Sequence, residues 1–153
     1  MFGFKSRKIK RANEVELLAI KCEQIGDIHQ ALSLYEKSIK IKETYSNTYN
    51  YGRVLHTNKD YEKSIKYLKK SAEINLAADT FLELGNSYYM INKIDDAIKA
   101  WKASIAVDSN YIKGYRCLWV AYLDKNQNKK AMEYAKKASR LGLQEATIWI
   151  SQQ

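Results

Sequence analysis

Histidine, cysteine and paired carboxylates are the side chains that most often move protons, attack carbonyls or hold metals. This sequence offers few of them at a usable spacing. No pair of His, Cys or acidic residues falls in a ligand pattern such as H-x-x-x-H or C-x-x-C, and no Gly-rich phosphate loop, nucleophile elbow or acid pair is present. The two histidines are His29 and His56; the first reads as exposed and inert, the second as a polar group that could serve a ligand. Cys22 and Cys117 are too few for a disulfide framework. No catalytic residue, metal site or cofactor is expected, and the chain does not read as an enzyme. What it has instead is Tyr, Asn and Arg, the residue types whose amphipathic rings, amides and guanidinium forks hold extended peptides.

Those groups must be carried on helices. The 153 residues include no Pro and 6 Gly, so β-hairpin turns have little to be built from, and Lys, Ala, Leu, Glu and Ile dominate. The length suggests one domain. The longest apolar run, Cys117 to Leu123, is far below the ~18 residues that span a bilayer. No apolar stretch follows the basic N-terminus, so a secretory signal is not expected, and a reduced, cytoplasmic protein is. The formal charge is +9, of which Lys5, Arg7, Lys8, Lys10 and Arg11 supply +5 within residues 1–11. That segment reads as a basic N-terminal tail.

Self-comparison then gives the organisation. Residues 85–104 align with 52–71 and 19–38 at a shift of 33, and with 119–138 at a shift of 34. Small residues recur at Ala19, Gly52 and Gly85, and again at Ala31, Ser64, Ala97 and Ala131. A bulky residue follows four later at Tyr35, Leu68 and Trp101, and a small one seven later at Ser38, Ser71, Ser104 and Ala138. Gly26-Asp27, Lys59-Asp60 and Asn126-Gln127 interrupt the apolar pattern within a unit, so each unit is two helices joined by a tight turn. Gly85 and Ala97 are expected to face each other where the helices are closest, with Trp101 filling the wedge between units.

Phe81, Leu84-Gly85, Tyr88, Ala97, Trp101 and Ser104 stand where the tetratricopeptide repeat family has its aromatic, Leu-Gly, Tyr, Ala, aromatic and small sites. The chain resembles that family over roughly residues 12–145, in units 12–44, 45–77, 78–111 and 112–145. The resemblance implies an all-α fold: a right-handed α-solenoid of four helix pairs, closed by a short C-terminal capping helix over 146–153. Ala146, Trp149 and Ile150 fall on one face there, and Trp149 is expected to be largely buried. Two departures are visible. The Pro that usually ends a unit is missing, and Trp119 occupies the small-residue site of the fourth unit, where an indole is expected to push the helices apart.

The family binds partners in a concave groove lined by the first helix of each unit. Carried onto this sequence, that face comprises Tyr49, Asn50, Arg53 and His56, then Asn86 and Tyr89, then Lys113, Arg116, Val120 and Leu123. Glu16, Leu17, Ile20 and Glu23 in the first unit, and Leu82 and Glu83 in the third, are expected to be exposed beside them. The implied function is a protein–protein interaction scaffold or adaptor holding a protein or peptide segment. The alternatives are a cytoplasmic chaperone for a secreted or assembled substrate, and a peripheral membrane or nucleic-acid binder acting through residues 1–11. A Lys-Asn-Arg carboxylate clamp, which some members carry, is excluded because Asp79 and Glu83 stand where cations are needed. Apolar groove ends allow a homodimer. Nucleic acid is disfavoured, because the Tyr residues belong to the core or groove and not to the Lys-rich outer helices.

Overall fold

The computed structural model describes residues 2–153, with side chains from residue 6 onward. Among these residues it contains nine α-helices and no strand. They are α1 Phe2–Gln24, α2 Ile28–Ile41, α3 Tyr45–Thr57, α4 Tyr61–Ile74, α5 Ala78–Met90, α6 Ile94–Val107, α7 Ile112–Asp124, α8 Asn128–Arg140 and α9 Gln144–Ser151. Each odd helix packs on the even helix that follows it, and α9 packs on α8. The chain divides into two compact units, α1–α4 up to Leu76 and α5–α9 from Ala77. Each has its own apolar cluster, one around Ala19, Tyr35, Tyr51 and Leu55, the other around Trp101, Leu118, Trp119 and Tyr122. Repeats bury their apolar faces against near neighbours in sequence, so one common core is not required.

The turns inside the pairs are built alike. Gly26, Lys59, Asn92 and Asn126 all take positive φ, at 84°, 64°, 61° and 55°. The residue after each donates its N–H to a carbonyl five back: Asp27 to Cys22, Asp60 to Leu55, Lys93 to Tyr88, and Gln127 to Tyr122, at 2.8–2.9 Å. This closes the first helix with a left-handed residue and a six-to-one hydrogen bond. The donor residue then caps the second helix. Asp27 accepts from Gln30 N–H at 3.0 Å and Asp60 from Lys63 N–H at 3.4 Å. Lys93 and Gln127 hold nearly the same backbone angles as the two Asp caps but make no side-chain cap bond. Gln127→Asp should therefore install one, stabilising the second unit by about 1 kcal/mol. The check is a thermal melt, expected to rise by about 2–4 °C; an unchanged or lower melt contradicts the cap.

Packing within each pair follows residue size. A Cβ on Gly52 would lie 2.7 Å from Cγ of Leu68, and one on Gly85 only 2.4 Å from Nε1 of Trp101. The residue over Gly85 is thus the Trp101 indole, not Ala97 alone, and the same ring also borders the space toward α7. Ala31, Ser64, Ala97 and Ala131, like Ser38, Ser71, Ser104 and Ala138, have no exposed surface. Three of the serines reach the partner backbone, Ser38 to Ala12 O at 2.8 Å, Ser64 to Gly52 O at 2.7 Å and Ser71 to Tyr45 O at 3.4 Å. Small side chains let the helices approach, and their hydroxyls satisfy the approach.

Trp119 is buried in the fourth pair, and its Nε1 has no hydrogen-bond partner there. The position that faces Gly85 is Trp101; sixteen residues on from Trp119 the sequence has Ala135, fully buried. Large and small have changed places, the summed volume is kept, and the turn at Asn126 matches its counterparts. The Trp119 indole also meets Trp149 of α9, with ring centroids 5.3 Å apart.

The two ends are both helical. The basic segment is helical: α1 runs from Phe2 through it, with Gly3 near its start and no Pro; Met1 lies outside the described residues. At the other end α9 begins at Gln144 and buries Ala146, whereas Trp149 is only half-buried. Eight residues are too few to cover an indole completely. Among the described residues no helix is long and apolar enough to cross a membrane.

Candidate functional site

In the first unit the polar face of α3 is largely engaged from within. Arg53 Nη2 lies 2.7 and 2.8 Å from the two carboxylate oxygens of Glu23, and Tyr35 donates its hydroxyl to the same group at 3.1 Å. Asn50 Nδ2 donates to Glu16 at 2.9 Å, beside a second bond from Ser46. Burial weakens the Arg53 charge, but the Glu23 hydrogen bond and field outweigh it and leave the pKa raised. Burial first, then the Glu23 charge, raises the Tyr35 phenol in turn. Glu16, expected to be exposed, is 5% exposed: its carboxylate is drawn in by the two donors. Leu17 does stand out, and Ile20 packs against the core. Tyr49 stacks on Tyr45, and His56 meets the edge of Tyr61 at 5.3 Å.

In the second unit four expected residues come together. Asn86 and Tyr89 of α5 and Arg116 and Val120 of α7 line a cleft of about 230 Å³, with Trp101, Cys117 and Ala121 as its floor. Asn86 Oδ1 accepts from the Trp101 indole at 3.2 Å, which fixes its orientation. Tyr89 donates its hydroxyl to Asp124 and tilts against Trp101 at 5.7 Å; the Asp124 bond, then burial, raises its pKa. Arg116 Nε pairs with Glu145 at 3.0 Å in an exposed contact, the kind worth little in water. The cleft therefore offers one exchangeable cation, an oriented amide and an apolar floor.

The remaining expected residues do not join it. Lys113 is exposed on the first turn of α7, and Leu123 is half-buried against the core cluster. Leu82, expected on the open face, is buried in that cluster. Glu83 lies near Asn86 Nδ2 at 3.5 Å, and Tyr111 bonds to Asp79. Trp101 and Cys117 line the cleft although sequence reasoning gave the first to packing and the second no role in binding. The signal was available: Cys117 lies 31 residues beyond Asn86, nearly one repeat along. Among the described residues no three His, Cys, Asp or Glu side chains gather as a metal site.

Burial pushes the Cys117 thiol up to about 11, so at pH 8 the thiolate is scarce. Iodoacetamide at pH 8 should leave Cys117 almost unmodified by mass spectrometry in the folded protein, and label it fully once denatured. Rapid native labelling at that residue contradicts the buried-thiol geometry.

The architecture is that of an all-α helix-pair repeat protein. Residues 48–77 match the model of the tetratricopeptide repeat, and residues 21–40 and 120–143 that of the Sel1 repeat. The chain thus carries repeats of the kind its sequence resembles. No curated protein matches it. Among solved structures, a crystal structure of MamA superposes with a TM-score of 0.83 at 22% identity, covering 89% of this chain and 81% of that one. MamA 41-end from Desulfovibrio magneticus RS-1 gives 0.79 at 22%, covering 85% and 75%. YrrB, described as a TPR protein with an unusual peptide-binding site, gives 0.81 at 18%, covering 93% and 75%. At these identities the likeness is one of fold.

Proposed function

We propose that this chain is a protein-interaction module that holds an extended partner segment on the first-helix face, with the cleft between α5 and α7 as its principal anchor. The observation that carries the reading is the convergence of Asn86, Tyr89, Arg116 and Val120 on one cavity with an apolar floor. A cavity of that size takes one side chain, and the groups at its rim can hydrogen-bond a peptide backbone. Arg116 favours an acidic group on the segment, since its present partner Glu145 is exposed and replaceable. The peptide-binding site ascribed to YrrB supports the reading by analogy of fold alone. The module is read as non-enzymatic, because the titratable groups on this face serve as hydrogen-bond partners within the fold. A cytoplasmic setting belongs to the same reading and rests on two unpaired cysteines, Cys22 and Cys117.

Self-association through the groove ends is the weaker case. Leu123, named for one end, packs into the core, so Leu123→Asp would damage the fold and cannot report on a dimer. Val120 is the exposed apolar residue to change.

The test is selection of peptides from a random display library on the purified chain, followed by titration against Val120→Asp and Arg116→Glu variants. Both positions are exposed, so the variants should melt like the parent. Each is expected to weaken selected acidic-apolar peptides at least about tenfold, the loss of one good anchor. Selected peptides that bind both variants as tightly as the parent would remove the cleft from the proposal.

A further inference from the structure

At the start of the first unit, Arg7, Lys8 and Arg11 of α1 face Lys40 and Ile41 of α2 across a cleft of about 360 Å³. No acidic residue lines it. Glu36 pairs with Lys40 at 2.9 Å with both side chains exposed; such a pair exchanges readily with solvent. Arg7 and Arg11 are four apart and so share a helix face, where like charges repel and disfavour the helix. Yet the helix runs straight through this stretch to Ala12, whose carbonyl is pinned by Ser38. The Arg7–Arg11 repulsion works against the observed helix, and an anion held between the two guanidinium groups would turn it into attraction.

From this geometry we propose that the α1–α2 cleft binds phosphate groups. Two guanidinium forks on one face match the paired oxygens of a phosphate, and the flanking Lys40 supplies a point charge from the opposite helix. Ile41 gives the cleft an apolar wall. The site lies on unit 1, apart from the α5–α7 cleft, and does not depend on the peptide reading. The phosphate could be a lipid headgroup or a small soluble polyphosphate.

Two arms separate these sources: sedimentation with phosphatidylcholine vesicles, pure or doped with phosphatidic acid, and calorimetric titration with inorganic pyrophosphate. Each uses the full chain, an Arg7→Gln, Arg11→Gln variant, and a Lys136→Gln, Lys137→Gln variant that removes the same charge from α8. Far-UV circular dichroism confirms that all three are folded. Binding to doped vesicles should fall roughly 30-fold for the arginine variant, at about a fivefold loss per cation, and by less than about twofold for the α8 variant. Binding in the vesicle arm assigns a lipid headgroup; binding to pyrophosphate alone assigns a soluble phosphate. No binding in either arm, or equal losses from the two variants, overturns the site.

Discussion

Gly85→Leu should lower the stability of the second unit by about 1–3 kcal/mol, the usual cost of forcing extra methylenes into a packed core. The first added carbon would already lie 2.4 Å from the Trp101 indole. That ring has little room to retreat, being 3% exposed and hydrogen-bonded to Asn86. Ala97→Leu, at a position with no exposed surface, should cost a similar amount. Lys99→Ala removes only an exposed contact to Asp96 and should stay within about 0.5 kcal/mol. Thermal melts of the three variants decide the matter, and three indistinguishable curves would mean that the helix-pair packing is wrong. The fourth pair suggests a sharper version: Gly85→Trp alone should be more damaging than Gly85→Leu, and adding Trp101→Ala should recover much of the loss. A double variant no better than the single would break the size-exchange argument.

Arg53→Glu should destabilise the first unit by about 2–4 kcal/mol, between the values for exposed and buried ion pairs. The guanidinium is about one-third exposed, which discounts the full buried-pair cost. Its removal leaves Glu23 with the Tyr35 hydroxyl as its remaining side-chain donor described here, and the new carboxylate adds repulsion. Pairing the change with Glu23→Gln should restore more than half of the loss in urea unfolding, because the repulsion goes with the charge. An Arg53→Glu protein as stable as the parent would show the ion pair to be idle. The outcome also governs the use of this residue in binding studies: an effect of Arg53 on a partner has to be separated from an effect on the fold.

Period and residue size made the helix pairs readable in the sequence, because close helix contacts demand small residues at fixed intervals whatever lies around them. The same period foresaw that Asn86, Tyr89, Arg116 and Val120 share a face, since α5 and α7 are one repeat apart. It could not foresee which polar groups on that face are already taken. Arg53 and Asn50 occupy open positions by helical geometry, but Glu23 and Glu16, about thirty residues earlier, reach them; a partner one repeat away leaves no mark on the local pattern. Asn92 escaped notice for a related reason. A polar residue in a left-handed turn resembles any other solvent-facing one, and only the spacing of 33 from Lys59 identifies it. For Trp119 the period points to two counterparts, the small residue twelve positions on and Ala135, sixteen on, and the local pattern does not say which one takes up the indole.

The exchange of Trp and Ala between the third and fourth pairs has a consequence for how the chain assembles. If α8 docked under α5, Gly85 would face Ala135 and leave a void of about the volume of an indole. If α6 docked on α7 in the manner of a hairpin partner, Trp101 and Trp119 would contend for one space. Both wrong matches are penalised, one by emptiness and one by collision. Neighbouring repeats of near-identical shape are prone to mispairing while they fold, and here the third and fourth pairs differ in which helix carries the bulk. The fourth pair is therefore not a spare copy of the third: at this site each hairpin's bulk is suited to its own helices and not to the other's.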